Sequence, residues 1–312
     1  MNSVQRSAMK TMPLAIAIAL TGCSQVGMAP ATGAPPAPAL AHRSSTSPQD
    51  LYIGNILGGV LVYSTGKNPQ EVGDITDDLP RVTGVWVDPS GILYAFTDNR
   101  SQPYETIEEF QAGASSPFFS LVVKRYGSLV AADAQHNVYA QGENSSQKQV
   151  IDVYAPGSQN YSNEYVVPAI GTVSEPQSMA FDSTGALLVG VAALADNKQG
   201  QIGGVFRLNG SSGTFENLNL RKAHGGLIAT DAAGNLYVSG GTVISVYAPG
   251  ATTPSRTVRT KGGIVALTAA SNGTLYVGTN DGGIDVYAPG KSHPKLAITP
   301  QAQVSGLALR PG

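Results

Sequence analysis

The chain has 312 residues, of which 13% are charged (19 Lys and Arg against 21 Asp and Glu, net −2) and 42% apolar, with 37 Gly and 20 Pro. That balance excludes a disordered polyelectrolyte, and it lacks the cationic excess needed to neutralise a phosphate backbone, so no nucleic-acid partner is expected. A single Cys rules out an internal disulfide framework or a Cys-based zinc cluster, and the four His (His42, His136, His224, His293) fall at no metal-ligand spacing, so neither a metal nor another cofactor is expected.

In chain order, the first segment reads as an export signal. Arg6 and Lys10 precede an apolar run over residues 14–20, too short to cross a bilayer core that needs about 20 residues. The run ends in Leu20, Thr21, Gly22 and Cys23, which resembles the lipobox of bacterial lipoproteins. The resemblance implies cleavage after residue 22, a diacylglycerol on the Cys23 thiol and usually an acyl group on its new amine. At about 0.8 kcal/mol per buried methylene, such chains hold a protein at the membrane stably. Ser24 rather than Asp follows the Cys, implying the outer membrane in a two-membrane cell and the outer face of the cytoplasmic membrane in a one-membrane cell. Residues 23–49 are Pro-, Ala- and Ser-rich without apolar periodicity, a linker.

From residue 50 to 312 the sequence repeats. The pairs Leu51-Tyr52, Leu93-Tyr94, Val138-Tyr139, Leu187-Leu188, Leu236-Tyr237 and Leu275-Tyr276 recur at intervals of 39 to 49 residues. Four of them follow a turn signature, an Asp six residues ahead of the Tyr position (Asp88, Asp133, Asp182, Asp231), with Gly91, Gly185 and Gly234 three residues after the Asp. Asp accepts backbone N–H groups in such turns and Gly supplies positive φ, so these Asp residues read as structural. Short apolar segments precede the turns at 82–87, 128–132, 177–181, 226–230 and 263–267, and a sixth closes the chain at 304–309. A third strand follows each pair, clearest where Val-Tyr-Ala-Pro-Gly ends at Gly157, Gly250 and Gly290, and weaker at 61–66, 107–113 and 204–208.

Four short strands per repeat, six times over, predict an all-β, six-bladed β-propeller with four-stranded antiparallel blades. The Val-Tyr-Ala-Pro-Gly repeats resemble NHL-type and TolB-like six-bladed propellers. Because the domain begins on a second strand and ends on a first, one blade must be assembled from both termini, closing the ring and removing free sheet edges.

Aligning the repeats places Arg81, Tyr126, Glu175, His224, Lys261 and Gln303 at the start of the six innermost strands. This mixed ring is either a solvated channel mouth or a shallow site for a small polar or carbohydrate-like ligand or a peptide tip. Glu175 and His224, from consecutive blades, are the one acid/base combination it offers. Lactonases of the gluconolactonase-like group hold a divalent cation with several carboxylates, and streptogramin-lyase-like propellers combine several His and Glu; one acid and one His fall short of both. No nucleophile elbow, zinc-protease motif or phosphate loop occurs.

Three further features stand out. Trp86, the only Trp, occupies a position where the other copies carry Ala131, Ala180, Ala229, Ala266 and Ala308, and reads as a packing substitution. Residues 99–117, with Glu105, Glu108 and Glu109, read as an acidic, solvated edge that could meet a partner, and Asn144 to Ser146 read as a loop. The expectation is a lipid-anchored propeller of the cell envelope that binds or scaffolds an envelope protein, peptide or carbohydrate without catalysis. The alternatives are a lactonase- or lyase-like enzyme and a purely structural surface protein.

Overall fold

The computed structural model describes residues 49–76, 79–98, 104–194, 201–223 and 225–311. Cys23, the segment 1–48, His224 and residues 99–103 of the acidic insert lie outside them. The described residues form six four-stranded antiparallel sheets, the blades of a six-bladed β-propeller.

Blade 1 contains β1 (Asp50–Asn55), β2 (Val60–Ser64) and β3 (Glu71–Ile75), and blade 2 contains β4 (Val82–Val87), β5 (Leu93–Thr97), β6 (Glu105–Phe110) and β7 (Phe119–Val123). Blade 3 is β8 (Val130–Ala132), β9 (Val138–Glu143), β10 (Gln149–Tyr154) and β11 (Tyr161–Val166). Blade 4 is β12 (Thr172–Phe181), β13 (Leu187–Leu194), β14 (Gln201–Asn209) and β15 (Thr214–Asn217). Blade 5 is β16 (Ile228–Thr230), β17 (Leu236–Gly240), β18 (Val243–Tyr247) and β19 (Arg256–Arg259), and blade 6 is β20 (Ile264–Ala269), β21 (Leu275–Thr279), β22 (Ile284–Tyr287) and β23 (Leu296–Ile298). The last strand, β24 (Val304–Leu309), completes blade 1 from the inside, in the order β24-β1-β2-β3, with Tyr52 opposite Ala308. The closed ring read from the repeat phase is therefore present.

Each seam between neighbouring blades is filled by one apolar cluster, because alternate residues of a strand point to opposite faces and both faces of a blade meet a neighbour. Leu51 and Ile53 of β1 pack with Ile284 and Val286 of β22 at the closing seam, and Tyr237 and Ile244 pack with Leu275 and Val277 between blades 5 and 6. Approach is closest between blades 4 and 5. A Cβ on Gly190 would sit 1.9 Å from the Gly226 carbonyl oxygen, so only glycine fits there.

The first turn of blades 2 to 5 explains the Asp spacing, and in three of them the Tyr. Asp231 Oδ1 accepts the Asn235 N–H at 2.9 Å, while Oδ2 accepts the Tyr237 hydroxyl at 2.9 Å. Asp88 with Tyr94 and Asp133 with Tyr139 repeat the hydroxyl bond at 3.3 and 3.2 Å. In blade 4, where Leu188 replaces the Tyr, Asp182 Oδ2 takes Arg207 Nε at 2.6 Å. The left-handed residue three places on is Gly91, Gly185 or Gly234, but in blade 3 it is His136, at φ 63. Its Nδ1 lies 2.7 Å from Asp88 Oδ2 of the preceding blade, an inter-blade bond that offsets the cost of a non-glycine residue there.

The register corrects two sequence readings in blade 6. Trp86 lies opposite Tyr94, and the residue opposite Tyr276 is Thr268, so Thr268 rather than Ala266 is the counterpart of Trp86. The innermost strand runs over Ile264–Ala269 instead of 263–267. The turn lacks its Asp: Ala270 makes the equivalent bond, its N–H donating to Thr274 O at 2.8 Å. The acidic insert is also corrected. Glu105, Glu108 and Glu109 are buried on β6, the third strand of blade 2, and do not form a solvated edge.

Candidate functional site

Each innermost strand starts on one face of the ring, here the top, and ends at the Asp turns of the opposite, bottom face. The connections from second to third strands and from one blade to the next therefore also lie on top. Arg81, Tyr126, Glu175 and Gln303 occupy equivalent top-face positions, five residues ahead of Trp86, Ala131, Ala180 and Ala308. By the same register the blade 6 member is Gly263; Lys261 lies two residues before it, exposed. The structure thus places four of the six ring residues in register and displaces the fifth, and His224 is outside the described residues.

The side chains do not converge. Arg81 Nη1 is 2.9 Å from Asp98 Oδ2 of its own blade. Tyr126 is 82% exposed. Gln303 uses its backbone at the closing seam, donating its N–H to Asn55 Oδ1 at 3.1 Å and accepting the Ile56 N–H at 3.0 Å. Glu175 is exposed on the wall of a cleft of about 580 Å³ between blades 3 and 4, shared with Glu143, Lys148, Val166 and Val173. Among the described residues no two ring members are hydrogen-bonded or ion-paired to each other, and the combination of Glu175 with His224 includes a residue outside them.

What the top face does present is apolar surface. Leu57 (76% exposed), Tyr104, Tyr126, Val166, Val173 (67%) and Leu194 all lie at its connections or strand ends, whereas Val72, Phe118 and Tyr161 lie toward the bottom. Val173 has φ 50, which a β-branched residue adopts only under strain. The strain and the exposure coincide at the cleft, the kind of position where backbone cost marks a functional surface. Below the mouth the six inner strands enclose a channel walled largely by apolar side chains, Trp86 among them. The indole Nε1 donates to Ala132 O of blade 3 at 3.0 Å, and its ring meets Phe181 of blade 4 edge-on at 5.8 Å, so Trp86 bridges three blades.

Charge is buried at the seam of blades 2 and 3. Burial pushes the Glu109 carboxyl up to about 7 against the opposing pull of His136, with Asp88 and Glu108 adding to the rise. Glu105 is likewise raised to about 7 by burial, although the Gly127 N–H donates to its Oε2 at 2.7 Å. Glu108, on the opposite face of β6, accepts the Ser120 hydroxyl of its own blade. In blade 3 burial raises Asp152 to about 6 while Arg125, 3.0 Å away, opposes the shift. Arg125 also pairs with Glu164 at 2.8 Å and lies 5.0 Å from the centre of the Tyr161 ring, pinning blade 3's outer strands. These groups are tied into the blades. Among the described residues, no three or more of His, Cys, Asp and Glu gather where they could hold a metal ion.

The fold has close parallels in solved structures. A protein of unknown function from Bacteroides caccae superposes with a TM-score of 0.60 over 85% of this chain and 99% of its own, at 11% identity. A protein from Lactobacillus plantarum does so at 0.59 over 84% and 99%, at 13% identity. At such identities the likeness is one of architecture, that of the six-bladed propeller. No protein-family model and no curated protein matches the sequence.

Proposed function

We propose that this chain is a non-catalytic binding module of the bacterial cell envelope, exported and held at the membrane by lipid on Cys23, which engages a protein or peptide partner through the top face of the propeller. The observation that carries the reading is the excess of exposed apolar side chains on that face, the strained Val173 among them. Single exposed apolar residues are ordinary, but a group of them on one face is the usual mark of an interaction surface. Tyr126 and Tyr104 supply rigid amphipathic contacts of the kind enriched in interface cores. Arg81, Glu175, Lys261 and Gln303 then form a polar rim. Anchoring rests on the lipobox-like Leu20 to Cys23, and the Val-Tyr-Ala-Pro-Gly repeats keep the resemblance to NHL-type and TolB-like propellers.

The test is site-specific photocrosslinking in intact cells. Crosslinkers at Leu57, Tyr126 and Val173 are expected to capture one common partner, and crosslinkers at the bottom-face positions Ser211 and Lys291 are not. Equal capture from both faces overturns the top-face assignment. In the same cells Cys23→Ser is expected to move the protein out of the membrane fraction or leave an unprocessed precursor; normal processing and lipid incorporation in that variant overturn the anchor.

A further inference from the structure

The channel through the ring has a chemistry of its own. Its cavity measures about 220 Å³, and its wall includes Trp86, Met179, Leu227, Leu267 and Leu307, with no Asp, Glu, Lys, Arg or His among the described residues that line it. An ion entering it would lose hydration and gain no opposite charge.

The hydroxyl groups facing the channel are mostly engaged. Ser178 Oγ donates to Gly226 O at 2.7 Å, Thr230 Oγ1 to Phe181 O at 2.8 Å and Ser305 Oγ to Val82 O at 2.7 Å, each stitching one inner strand to a neighbouring blade. Thr83 Oγ1 donates to Phe96 O at 3.3 Å within its own blade. Beside the backbone N–H and C=O groups that each innermost strand, paired on one side only, turns toward the channel, two polar side chains are left over. The Gln177 amide and the Thr268 hydroxyl line the channel and make no hydrogen bond to another described residue. Gln177 is the extra residue where the β12 ladder slips between Pro176 and Ser178, the kind of bulge that re-aims a side chain.

A dry cavity of about 150 Å³ accommodates benzene, so this one has room for one or two fused rings. We propose that the channel binds a small uncharged molecule, an aromatic of one or two rings carrying an amide-like group, which packs against the apolar side chains of the wall and exchanges hydrogen bonds with the Gln177 amide. This site lies inside the ring and does not depend on the top-face reading.

The full-length protein can be titrated with benzamide, and with benzoate as a charged molecule of the same shape. Calorimetry gives the affinity, and Trp86, the only Trp, reports on the channel by its emission. Benzamide is expected to bind at one site and shift that emission, with benzoate at least about tenfold weaker. Gln177→Leu should weaken benzamide about tenfold, the equivalent of about 1.4 kcal/mol. Val265→Phe, at a partly exposed channel position, should block it while the melting temperature is kept. Absence of saturable benzamide binding, equal binding of benzoate, or binding indifferent to both variants overturns the proposal. Tyr126→Ala should leave benzamide binding unchanged, which separates this site from the partner surface.

Discussion

The two faces of the ring are built by different rules. On the bottom face one chemistry recurs: in blades 2, 3 and 5 an Asp caps its own turn and accepts a Tyr hydroxyl from the next strand, and in blades 3, 5 and 6 Pro-Gly ends the third strand. On the top face the connections differ in length and composition, β12 to β14 of blade 4 are longer than their counterparts, and apolar side chains are left in solvent. The bottom face holds the repeat together, and the top face is where this ring departs from a repeat. Loops carried on a rigid scaffold are where binding surfaces are usually found.

Three experiments break or sharpen that contrast. The largest effect is expected from deleting residues 304–312, which strips blade 1 of its innermost strand and opens both faces at once. At about 25 cal/mol per Å² of apolar surface, exposing the Leu51 and Ile53 seam should cost several kcal/mol and lower the melting temperature by at least about 10 °C. An unchanged melting temperature would mean that the ring is not closed by β24.

Next in size is a paired comparison between the faces. Asp231→Ala on the bottom leaves the buried Tyr237 hydroxyl and the Asn235 N–H without their acceptor, at about 2–4 kcal/mol by urea denaturation. Tyr126→Ala on top should stay within about 0.5 kcal/mol of the parent. Similar losses at both positions would abolish the distinction drawn above.

The smallest effect concerns pH. Glu109 titrates near 7 in the folded chain, above the ordinary carboxylate value of the unfolded one, so its ionisation opposes folding. The penalty is complete above about pH 7, shrinks as pH falls and is gone once the unfolded carboxyl is also protonated, below about 4.5. Glu109→Gln removes that charge at little cost in shape. It should therefore be about 1–3 kcal/mol more stable than the parent at pH 8 and gain nothing near pH 4.5. A constant difference across that range would show that the shift is not of electrostatic origin.

Much of this fold could be read before the structure, because blades announce themselves by spacing. The Asp-to-Tyr interval marks the first turn wherever both residues are present, and the phase of residues 51 and 304 foretells closure. Blade 6 was misaligned because Ala270 stands in the Asp position. Counting six residues back from Tyr276, with Gly273 three further on, would have placed Ala270, Thr268 and Gly263 correctly. The glutamates of β6 escape the sequence for a different reason: charge at alternating and adjacent positions looks solvated, and only the packing of blade 2 against both of its neighbours shows that they are buried. The apolar top face had no signature at all, since loop residues carry no period from which exposure could be inferred. The emptiness of the channel in ionisable groups was equally hidden, because it depends on which residue of each inner strand the bulges turn inward.

The placement of β1 has a mechanical consequence. This first strand is not an edge: β24 lies on one side of it and β2 on the other, and Asp50 O also accepts the Arg310 N–H at 2.9 Å. A pull on the chain ahead of Asp50 acts along the strand and loads both ladders in shear, all bonds together, instead of peeling them one at a time. For a domain hung from its amino-terminal side, the point of suspension is thus a strand gripped from both sides.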